Sequence, residues 1–482
     1  MIDVAVIGCG IVGAAAAYEL SRYELSVAVL ERENDVSMGA TKANSAIIHA
    51  GYDPEPGTLM ARLNIEGAGL AKELCEKLDV PHKQCGALVV AFSGEEIAGL
   101  ERLLRNGVQN GVPGIRILPK DQALAMEPGL SGEVAAALYA PTAMIVSPWE
   151  YALALAETAV RNGADLRLEC AVTGIDKIAG GYGLRTVRGP VEARTVINAA
   201  GLYADTIHDM AAEPAFTVLP SRGEYCLLDK SEGTRVSHVI FQCPAETGKG
   251  VLVAPTVHGN LIAGPSSESL RDRADLSVTA EKLEFVMRTA KKAVPGIDFR
   301  ANIRNFAGNR AKSGHGDFII AEAKGAPGFI DLAGIASPGL SAAPAIARMA
   351  VGLLGESGLA LREKRDFYGT RGRVRFRELT SGEKAALVRR DPAYGRVICR
   401  CETVTEGEIR DALLTPVPPR SVDGVKRRCG AGMGRCQGGF CGPRVLEILA
   451  GHYHCKPSEI VQDGAGTWIL ASETKGGAGP AI

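Results

Sequence analysis

The stretch Val4-Ala-Val-Ile-Gly8-Cys-Gly10-Ile-Val-Gly13 decides the fold of this chain. Its four apolar residues predict a buried strand, and the run Ala14–Leu20 after it predicts a helix. Between them the glycines are spaced as G-x-G-x-x-G. Gly8 makes the tight turn, Gly10 lets the backbone approach a pyrophosphate, and Gly13 lets the helix pack closely on the strand. The stretch predicts the first half of a dinucleotide-binding unit, with phosphates at the helix N-terminus.

The residues that follow favour FAD as the dinucleotide. A second strand, Val27–Leu30, ends in Glu31, whose carboxylate can accept hydrogen bonds from a ribose diol. No second glycine motif of this quality appears, but three distant small-residue segments are suited to passing beside a flavin: Gly39–Gly51, Val196–Ala204 and Gly334–Leu340. FAD is therefore expected, in a domain built from discontinuous pieces.

Length and composition set the limits of the interpretation. The 482 residues are enough for about three domains at roughly 150 residues each. The 54 basic and 55 acidic side chains nearly cancel, which argues against a nucleic-acid-binding protein. No apolar run reaches the roughly 18 residues of a membrane span, and no basic region precedes the first apolar stretch. A cytoplasmic protein is expected, associated with a membrane only through partners.

The cysteines predict a metal site near the C-terminal end. Six of the twelve fall in the last 84 residues, and four of these form two pairs, Cys399-Arg-Cys401 and Cys436-Gln-Gly-Gly-Phe-Cys441. Four thiolates suit a [2Fe-2S] cluster, with structural zinc as the alternative. Helices are expected over Glu408–Leu414, after a capping box, and Arg444–Leu449. The scattered cysteines are expected to be buried small hydrophobes: Cys9, Cys75, Cys85, Cys170, Cys226 and Cys243.

A basic stretch lies ahead of these cysteines. Residues 361–390 contain ten Lys or Arg against four Asp or Glu, with few large apolar side chains. Such a charge run is typical of an exposed linker, and the alternative is a strip that lies on an acidic partner.

The chain resembles two known families. Over roughly residues 1–355 it is similar to the D-amino-acid-oxidase-type flavoproteins, in the branch that oxidises 2-hydroxy compounds, on these segments: Arg222–Tyr225, Lys249–Val253, Pro255–Asn260, Phe306–Arg310 and Ser337–Leu340. The C-terminal part resembles the bacterioferritin-associated-ferredoxin-like [2Fe-2S] domain, including its Gly-Met-Gly-x-Cys-Gln-Gly signature, although Cys429 departs from that pattern and is a competing ligand candidate. Together the two parts are most similar to catalytic subunits of anaerobic FAD-dependent glycerol-3-phosphate dehydrogenases.

The resemblance implies an α/β (α+β) fold class. A Rossmann-like FAD domain would interleave with a mixed-sheet substrate domain, and a small helical [2Fe-2S] domain would follow. The expected boundaries are 1–80, 141–212 and 305–358 for the FAD domain; 81–140 and 213–304 for the substrate domain; 359–392 for the basic linker; 393–455 for the [2Fe-2S] domain; and 456–482 for a C-terminal tail.

The resemblance also implies the site residues. Oxidation of a secondary alcohol needs a base for the hydroxyl proton, and His49 is the candidate. Arg310 would hold an anionic group of the substrate and Lys249 would add a second positive charge. The full catalytic set is Ser45, His49, Lys249, Arg310 and Ser337. The cofactor set is Gly8, Gly10, Ile11, Val12, Gly13, Glu31, Arg32, Thr41, Lys42, Asn44, Ser45, Val172, Ala200, Gly201, Gly308, Gly339 and Leu340. The metal ligands are Cys399, Cys401, Cys436 and Cys441.

The expected activity is oxidation of glycerol 3-phosphate to dihydroxyacetone phosphate. Electrons would pass from FAD through the [2Fe-2S] cluster to a partner, a second flavoprotein or an iron–sulfur protein. The alternative substrate is L-2-hydroxyglutarate or another 2-hydroxyacid, a type to which the stretch His49–Gly57 is similar. A third, non-enzymatic hypothesis makes the tail a metal-carrying or redox-sensing module served by the flavin domain.

Overall fold

The computed structural model describes residues 1–243 and 250–472. Its strands β1 to β22 are, in chain order, Ile2–Ile7, Val27–Leu30, Ile47–Ile48, His82–Gln84, Ala87–Ala91, Arg116–Pro119, Ala136–Ala140, Met144–Val146, Asp165–Arg167, Val172–Ile178, Gly181–Thr186, Val191–Asn198, Val218–Leu228, Val239–Gln242, Leu252–Pro255, Leu261–Gly264, Glu268–Ser269, Asn302–Ser313, Ile319–Glu322, Phe329–Ala333, Val397–Cys399 and Val404–Thr405. Its helices α1 to α12 are Ile11–Leu20, Leu59–Lys77, Gly94–Asn110, Lys120–Met126, Pro148–Arg161, Ala204–His208, Ala280–Ala293, Gly339–Glu356, Ser381–Arg390, Glu406–Leu413, Val422–Cys429 and Gly442–Tyr453.

The first sheet is built around the glycine motif. Strand β1 pairs in parallel with β2 on one side and with β12 on the other, and β12 also pairs in parallel with β20. The strands β1 and β2 are buried along most of their length because α1 packs on them and shares one apolar core with α5 and α8. This arrangement brings the ends of β1, β2 and β12 to one edge, where parallel α/β sheets bind their ligands.

The second sheet has nine strands, in the order β17-β13-β16-β15-β14-β5-β7-β6, with β18 paired to the other edge of β13. Its strands come from stretches of chain that interrupt the first sheet. The predicted α/β class, with a Rossmann-like part interleaved with a mixed-sheet part, is confirmed. The boundaries drawn from the sequence stay predictions, and β18 crosses the one placed between residues 304 and 305.

Strand β18 connects two functional regions of the molecule. It pairs antiparallel with β13, so that Gly308 lies opposite Gly223 and Phe306 lies opposite Tyr225. Because side chains alternate along a strand, Arg304 shares a face with Phe306 and Gly308. The rings of Phe306 and Tyr225 stack on this face, with centroids 4.7 Å apart.

The C-terminal part has a small core of its own. Helices α10, α11 and α12 surround buried Ile409, Val425 and Leu449. The capping box predicted at the start of α10 is present, with Thr405 and Glu408 each bonding the other's backbone. Helix α12 begins at Gly442 with a proline in its first turn, two residues before the predicted start.

One part of the basic stretch, Arg371–Phe376, packs against the body of the protein, whereas most of the other residues are exposed, as the composition predicts for a linker. Arg371 pairs with Glu157 at 2.6 Å, with both side chains below 10% exposure. Arg373 and Arg375 follow the same course, reaching Glu150 and Asp79 at 3.2 and 2.6 Å. Buried carboxylates on α5 offset the charge of Arg371–Arg375, and this segment therefore lies against acidic side chains of the same chain.

The segment after the last helix also returns to the body of the protein. Val461 makes bridges with Ser421 and Trp468, and Asp463 pairs with Lys42 at 2.5 Å. Residues 473–482 of the expected tail lie outside the described residues. Among the described helices, none combines the length and the apolar character that crossing a bilayer requires.

Candidate active site and metal centre

A cavity of about 460 Å³ lies where the first sheet meets β13 and β18. The glycine turn after β1 lines one end of it, and the segment Gly39–Ile47 lines its side. The segment Ile335–Leu340, at the start of α8, and the β18 residues Gly308–Ala311 complete the wall. Ala199–Tyr203 line it as well, so the three distant small-residue segments of the sequence meet at one cavity.

The glycine turn has the geometry that its spacing predicts. Gly8 has φ of +95°, a conformation that side chains rarely adopt. A Cβ at Gly13 would lie 1.9 Å from the Gly8 carbonyl oxygen, so only glycine allows α1 to approach the turn this closely. Gly10 precedes the first residue of α1, whose N–H donates to the Thr41 hydroxyl at 2.9 Å.

The far end of the cavity is arranged around Glu31. Its carboxylate accepts hydrogen bonds from the backbone N–H groups of Cys9 at 2.7 Å and Glu33 at 3.0 Å. Burial raises the pKa of Glu31, and these two bonds oppose the shift. Each carboxylate oxygen keeps acceptor capacity for a diol. Beside it, the Arg32 guanidinium lies 4.3 Å from the centre of the Tyr203 ring.

The cavity fits an extended dinucleotide. Gly39 and Gly201 both line it, and a Cβ at either position would meet no protein atom within 4 Å. Side chains are thus missing where they would take up space in the cavity. The start of α1 supplies N–H groups for phosphates, and Glu31 supplies acceptors for a ribose, so the residues present fit FAD.

The predicted catalytic residues gather at the other end of the cavity. His49, Arg310, Ser45 and Ser337 all line it. The Ser337 hydroxyl lies 3.4 Å from His49 Nε2, and the His49 backbone N–H donates to the Ser341 hydroxyl at 2.8 Å. The ring of Phe241 lies against the imidazole, with centroids 5.8 Å apart. The imidazole is therefore positioned from its backbone, its edge and its face.

Arg310 is the cationic group of this end of the cavity. One of its nitrogens, Nη2, donates to the backbone oxygen of Ser266 at 3.3 Å. A Cβ at Gly223, on the neighbouring strand, would lie 2.5 Å from the same nitrogen. Glycine at this position of β13 thus leaves room for the guanidinium.

The structure does not bring every predicted residue to the cavity. Lys249 lies outside the described residues. Gly13 packs against Gly8 instead of lining the cavity, and the ammonium of Lys42 is taken by Asp463. The other predicted cofactor residues line the wall: Gly8, Gly10, Ile11, Val12, Glu31, Arg32, Thr41, Asn44, Ser45, Val172, Ala200, Gly201, Gly308, Gly339 and Leu340. Their roles stay predictions.

Two residues of the site were not predicted. Tyr225 lines the cavity, and its hydroxyl lies 3.2 Å from that of Ser45. Ser341, with no exposed surface, holds the His49 backbone. Tyr225 could have been found from the quoted segment Arg222–Tyr225, but no spacing signal links Ser341 to a histidine 292 residues away.

The four predicted metal ligands form a chain of sulfur contacts. The Cys401 sulfur lies 4.0 Å from that of Cys399 and 3.8 Å from that of Cys436. Cys441 contacts Cys399, and this hydrogen bond lowers the pKa of Cys399 to about 6. A Cβ at Gly434 would lie 2.6 Å from the Cys401 sulfur, which explains the glycine there.

This donor set fits a two-iron cluster. A [2Fe-2S] cluster needs only two thiolates for each of its irons. Cys429 stays apart from the four: its sulfur donates to the Val425 carbonyl at 3.3 Å, and burial raises its pKa to about 12.

A buried ion cluster joins the cysteine-rich part to the dinucleotide-binding part. Asp35, shortly after Glu31, accepts hydrogen bonds from Arg427 and Arg428, each at 2.9 Å. The side chains of Asp35 and Arg428 are 2% and 1% exposed. Arg427 also pairs with Asp463 at 2.6 Å, and Asp463 binds Lys42. We call Asp35, Arg427 and Arg428 the interdomain clamp.

Comparisons with known proteins agree with this geometry. The family model for FAD-dependent oxidoreductases matches residues 3–353, and that for the BFD-like [2Fe-2S] binding domain matches residues 397–451. The chain is 48% identical to a glycerol 3-phosphate dehydrogenase of Caloramator mitchellensis, over 98% of this chain and 99% of that one.

Two more distant relatives cover the flavin-binding part. The dithionite-reduced L-α-glycerophosphate oxidase of Mycoplasma pneumoniae, with FAD bound, superposes with a TM-score of 0.73 at 33% identity, over 77% of this chain and 98% of that one. The human mitochondrial L-2-hydroxyglutarate dehydrogenase is 32% identical over 55% of this chain and 60% of its own length.

The chain belongs to the FAD-dependent oxidoreductase family and carries a BFD-like [2Fe-2S] domain at its C-terminal end. Within that family it groups with the glycerol 3-phosphate dehydrogenase of C. mitchellensis, which it matches over nearly the whole length of both chains. FAD and a [2Fe-2S] cluster are its cofactors, and the zinc alternative is set aside.

We expect Asp35→Asn to release the [2Fe-2S] domain from the flavin domain. The variant leaves the buried guanidinium of Arg428 without a carboxylate and that of Arg427 with Asp463 alone, at a cost of roughly 3 to 5 kcal/mol. The free energy of unfolding, followed by the visible absorbance of the cluster, should fall by that amount. The matched control is Asp165→Asn, which removes an exposed ion pair with Arg167 and should cost at most about 1 kcal/mol. Equal effects of both variants would contradict the role of the clamp.

The stabilisation that the clamp provides should be lost at low pH. Burial alone would raise the pKa of Asp35, but Arg428 and Arg427 outweigh it and hold the pKa at about 2, against an ordinary 3.8. A lowered carboxyl pKa stabilises the fold above the ordinary value, and the contribution is lost as pH falls towards 2. The difference in stability between the wild type and Asp35→Asn should be constant above about pH 5 and shrink between pH 4 and 2.

Proposed function

We propose that this protein oxidises glycerol 3-phosphate to dihydroxyacetone phosphate and delivers the electrons to a partner protein. The observation that carries the proposal is the meeting of His49, Ser337 and Arg310 at one end of a cavity whose other end fits FAD. The nearly full-length relative named glycerol 3-phosphate dehydrogenase supports this substrate over L-2-hydroxyglutarate, whose relative matches only about half of the chain.

The residues of the cavity have separate tasks in this reaction. The Arg310 guanidinium binds the phosphate of the substrate, for which its planar fork is suited. Nε2 of His49 takes the proton of the secondary hydroxyl, and the Ser337 hydroxyl, 3.4 Å from that nitrogen, orients the ring. Ser341 fixes the backbone of His49, so the imidazole needs little reorganisation when substrate binds.

When bound, FAD supplies the acceptor for the hydride and the [2Fe-2S] cluster supplies a carrier for single electrons. Tyr225, 3% exposed, and Phe306 form the stacked wall between the cavity and the end of β18 that faces the cluster loop.

The partner that takes the electrons is proposed to be a second flavoprotein or an iron–sulfur protein. The support is the [2Fe-2S] domain itself, because a flavoenzyme that gave its electrons directly to oxygen would not need one. A cytoplasmic location, with any membrane association through that partner, is proposed with it.

The function is tested by anaerobic titration of the purified protein with sn-glycerol 3-phosphate. Bleaching of the flavin band, followed by loss of the cluster absorbance, is expected. Failure to bleach, in a protein that dithionite still reduces, would reject the proposal, and L-2-hydroxyglutarate would be titrated next.

In the same assay Arg310→Ala should raise the substrate concentration needed for half-bleaching by about tenfold or more, because a charge-assisted hydrogen-bond pair is lost.

A further inference from the structure

The cluster loops reach the surface at one place. Of the four ligands, Cys399 and Cys441 are buried in the small core, whereas Cys401 is exposed and Cys436 is partly exposed. The exposed and partly exposed sulfurs lie 3.8 Å apart. A redox partner that needs a short path to the cluster must therefore approach over Cys401 and Cys436.

The residues next to these two ligands have a distinct composition. Arg400 precedes Cys401 and Arg435 precedes Cys436, and both arginines are exposed. The two ligand stretches, residues 399–401 and 435–444, contain three arginines and no acidic residue. Arg435 keeps its side chain 73% exposed although it contacts Asp229 at 3.2 Å. This surface is basic where the cluster comes nearest to solvent.

An aromatic ring is exposed next to one of the ligands. Phe440 is 79% exposed, the highest value among the large hydrophobic side chains of the described ranges. Its position is fixed, because its backbone N–H donates to the Cys436 sulfur and the next residue is the ligand Cys441. An exposed phenylalanine held this firmly beside arginines has the composition of an interface anchor. We call Arg400, Cys401, Arg435 and Phe440 the cluster face.

We propose that the cluster face docks an acidic redox protein, with Phe440 entering an apolar socket of the partner. The inference rests on the proposed function and specifies the surface and chemistry of its electron acceptor. The arginines steer an acidic partner and set its orientation, while the ring supplies the desolvated contact. Each electron passes from the reduced cluster to the oxidised metal or flavin of the partner, so two one-electron steps follow each substrate oxidised.

Neutralising the cluster does not account for these side chains. An oxidised four-thiolate [2Fe-2S] centre carries a charge of about −2, and backbone N–H groups of its loops already face the sulfurs. The side chains of Arg400 and Arg435 are instead exposed, although Arg435 also contacts Asp229. Arg304 of β18 adds a further exposed cation where it meets Gln437 at 3.3 Å. Charge complementarity therefore points to an acidic partner surface.

The test uses two proteins of opposite charge as probes. The soluble haem domain of cytochrome b5 is acidic and cytochrome c is basic, and both accept single electrons. Binding to the full-length holoprotein in its oxidised state is measured by NMR titration of the labelled probe. Electron transfer is measured by reducing the protein with stoichiometric dithionite and mixing it with the oxidised probe. The acidic probe should bind more tightly than the basic one, with an affinity that falls as salt rises.

Variants then locate the surface. Arg400→Glu with Arg435→Glu, and separately Phe440→Ala, should each weaken binding of the acidic probe by about tenfold or more. The matched controls lie on α3: Arg102→Glu with Arg105→Glu for the charges, and Val108→Ala for the exposed apolar side chain, 62% exposed. These controls should leave binding unchanged.

Three outcomes would overturn the inference: equal binding of the two probes, undiminished binding by the cluster-face variants, or equal losses in the α3 controls. The binding measurement requires neither glycerol 3-phosphate nor turnover. A protein that binds the acidic probe but is not bleached by glycerol 3-phosphate would disprove the proposed function and leave the docking surface standing.

Discussion

Replacing His49 with asparagine should slow the anaerobic reduction of the flavin by glycerol 3-phosphate by a factor of about 10² to 10⁴, the usual contribution of a general base. Asparagine keeps the backbone hydrogen bond to Ser341 but has no basic nitrogen to take the hydroxyl proton. The rate is measured by stopped-flow absorbance at saturating substrate. FAD content and reduction by dithionite should be normal, because the change does not alter the glycine turn at the other end of the cavity.

His452→Asn is the matched control, since His452 lies exposed on α12, away from the cavity. It should reduce at the wild-type rate. A His49→Asn protein that reduces within about threefold of the wild type would mean that another group, or water, takes the proton.

Gly308→Ala should weaken FAD binding by about 10- to 100-fold, which corresponds to roughly 1.4 to 3 kcal/mol of overpacking. A Cβ at this position would lie 2.0 Å from the carbonyl oxygen of Ala43 and 3.0 Å from its Cβ. Backbone atoms cannot yield as a flexible side chain does, so either β18 or the loop that contains Ala43 must move. Both segments line the cavity, and either movement changes its width.

The affinity is measured by flavin fluorescence on the apoprotein after removal of FAD. Gly314→Ala is the matched control, because a Cβ there would meet no atom within 4 Å and the residue follows directly after β18. Unchanged FAD affinity in Gly308→Ala would show that the approach of β18 to the loop is not needed for the cofactor.

Features encoded by neighbouring residues could be predicted from the sequence. The glycine turn and the capping box at Thr405 each depend on residues a few positions apart, and each was found in the expected conformation. Spacing reveals such features because a turn or a pair of ligands must be built from one short piece of chain.

Features that depend on distant pairing could not be predicted in this way. Asp35 meets Arg428 across 393 residues, and Arg371 meets Glu157 across 214. A run of arginines looks solvated until the buried carboxylates that balance it are known. The pairing of Lys42 with Asp463, 421 residues away, is a third contact that spacing does not reveal.

The pairing of β18 with β13 has a mechanical consequence. Arg310, the proposed substrate-binding residue, and Arg304, which contacts the cluster loop, lie on one face of one strand, six residues apart, or roughly 20 Å at strand spacing. A strand in register can be neither stretched nor slipped by one residue without turning its whole row of side chains to the opposite face. β18 thus fixes the distance between the proposed substrate-binding end of the cavity and the loop that holds the cluster. Insertions in the surrounding loops can reshape either end, but the interval between them is set by the strand.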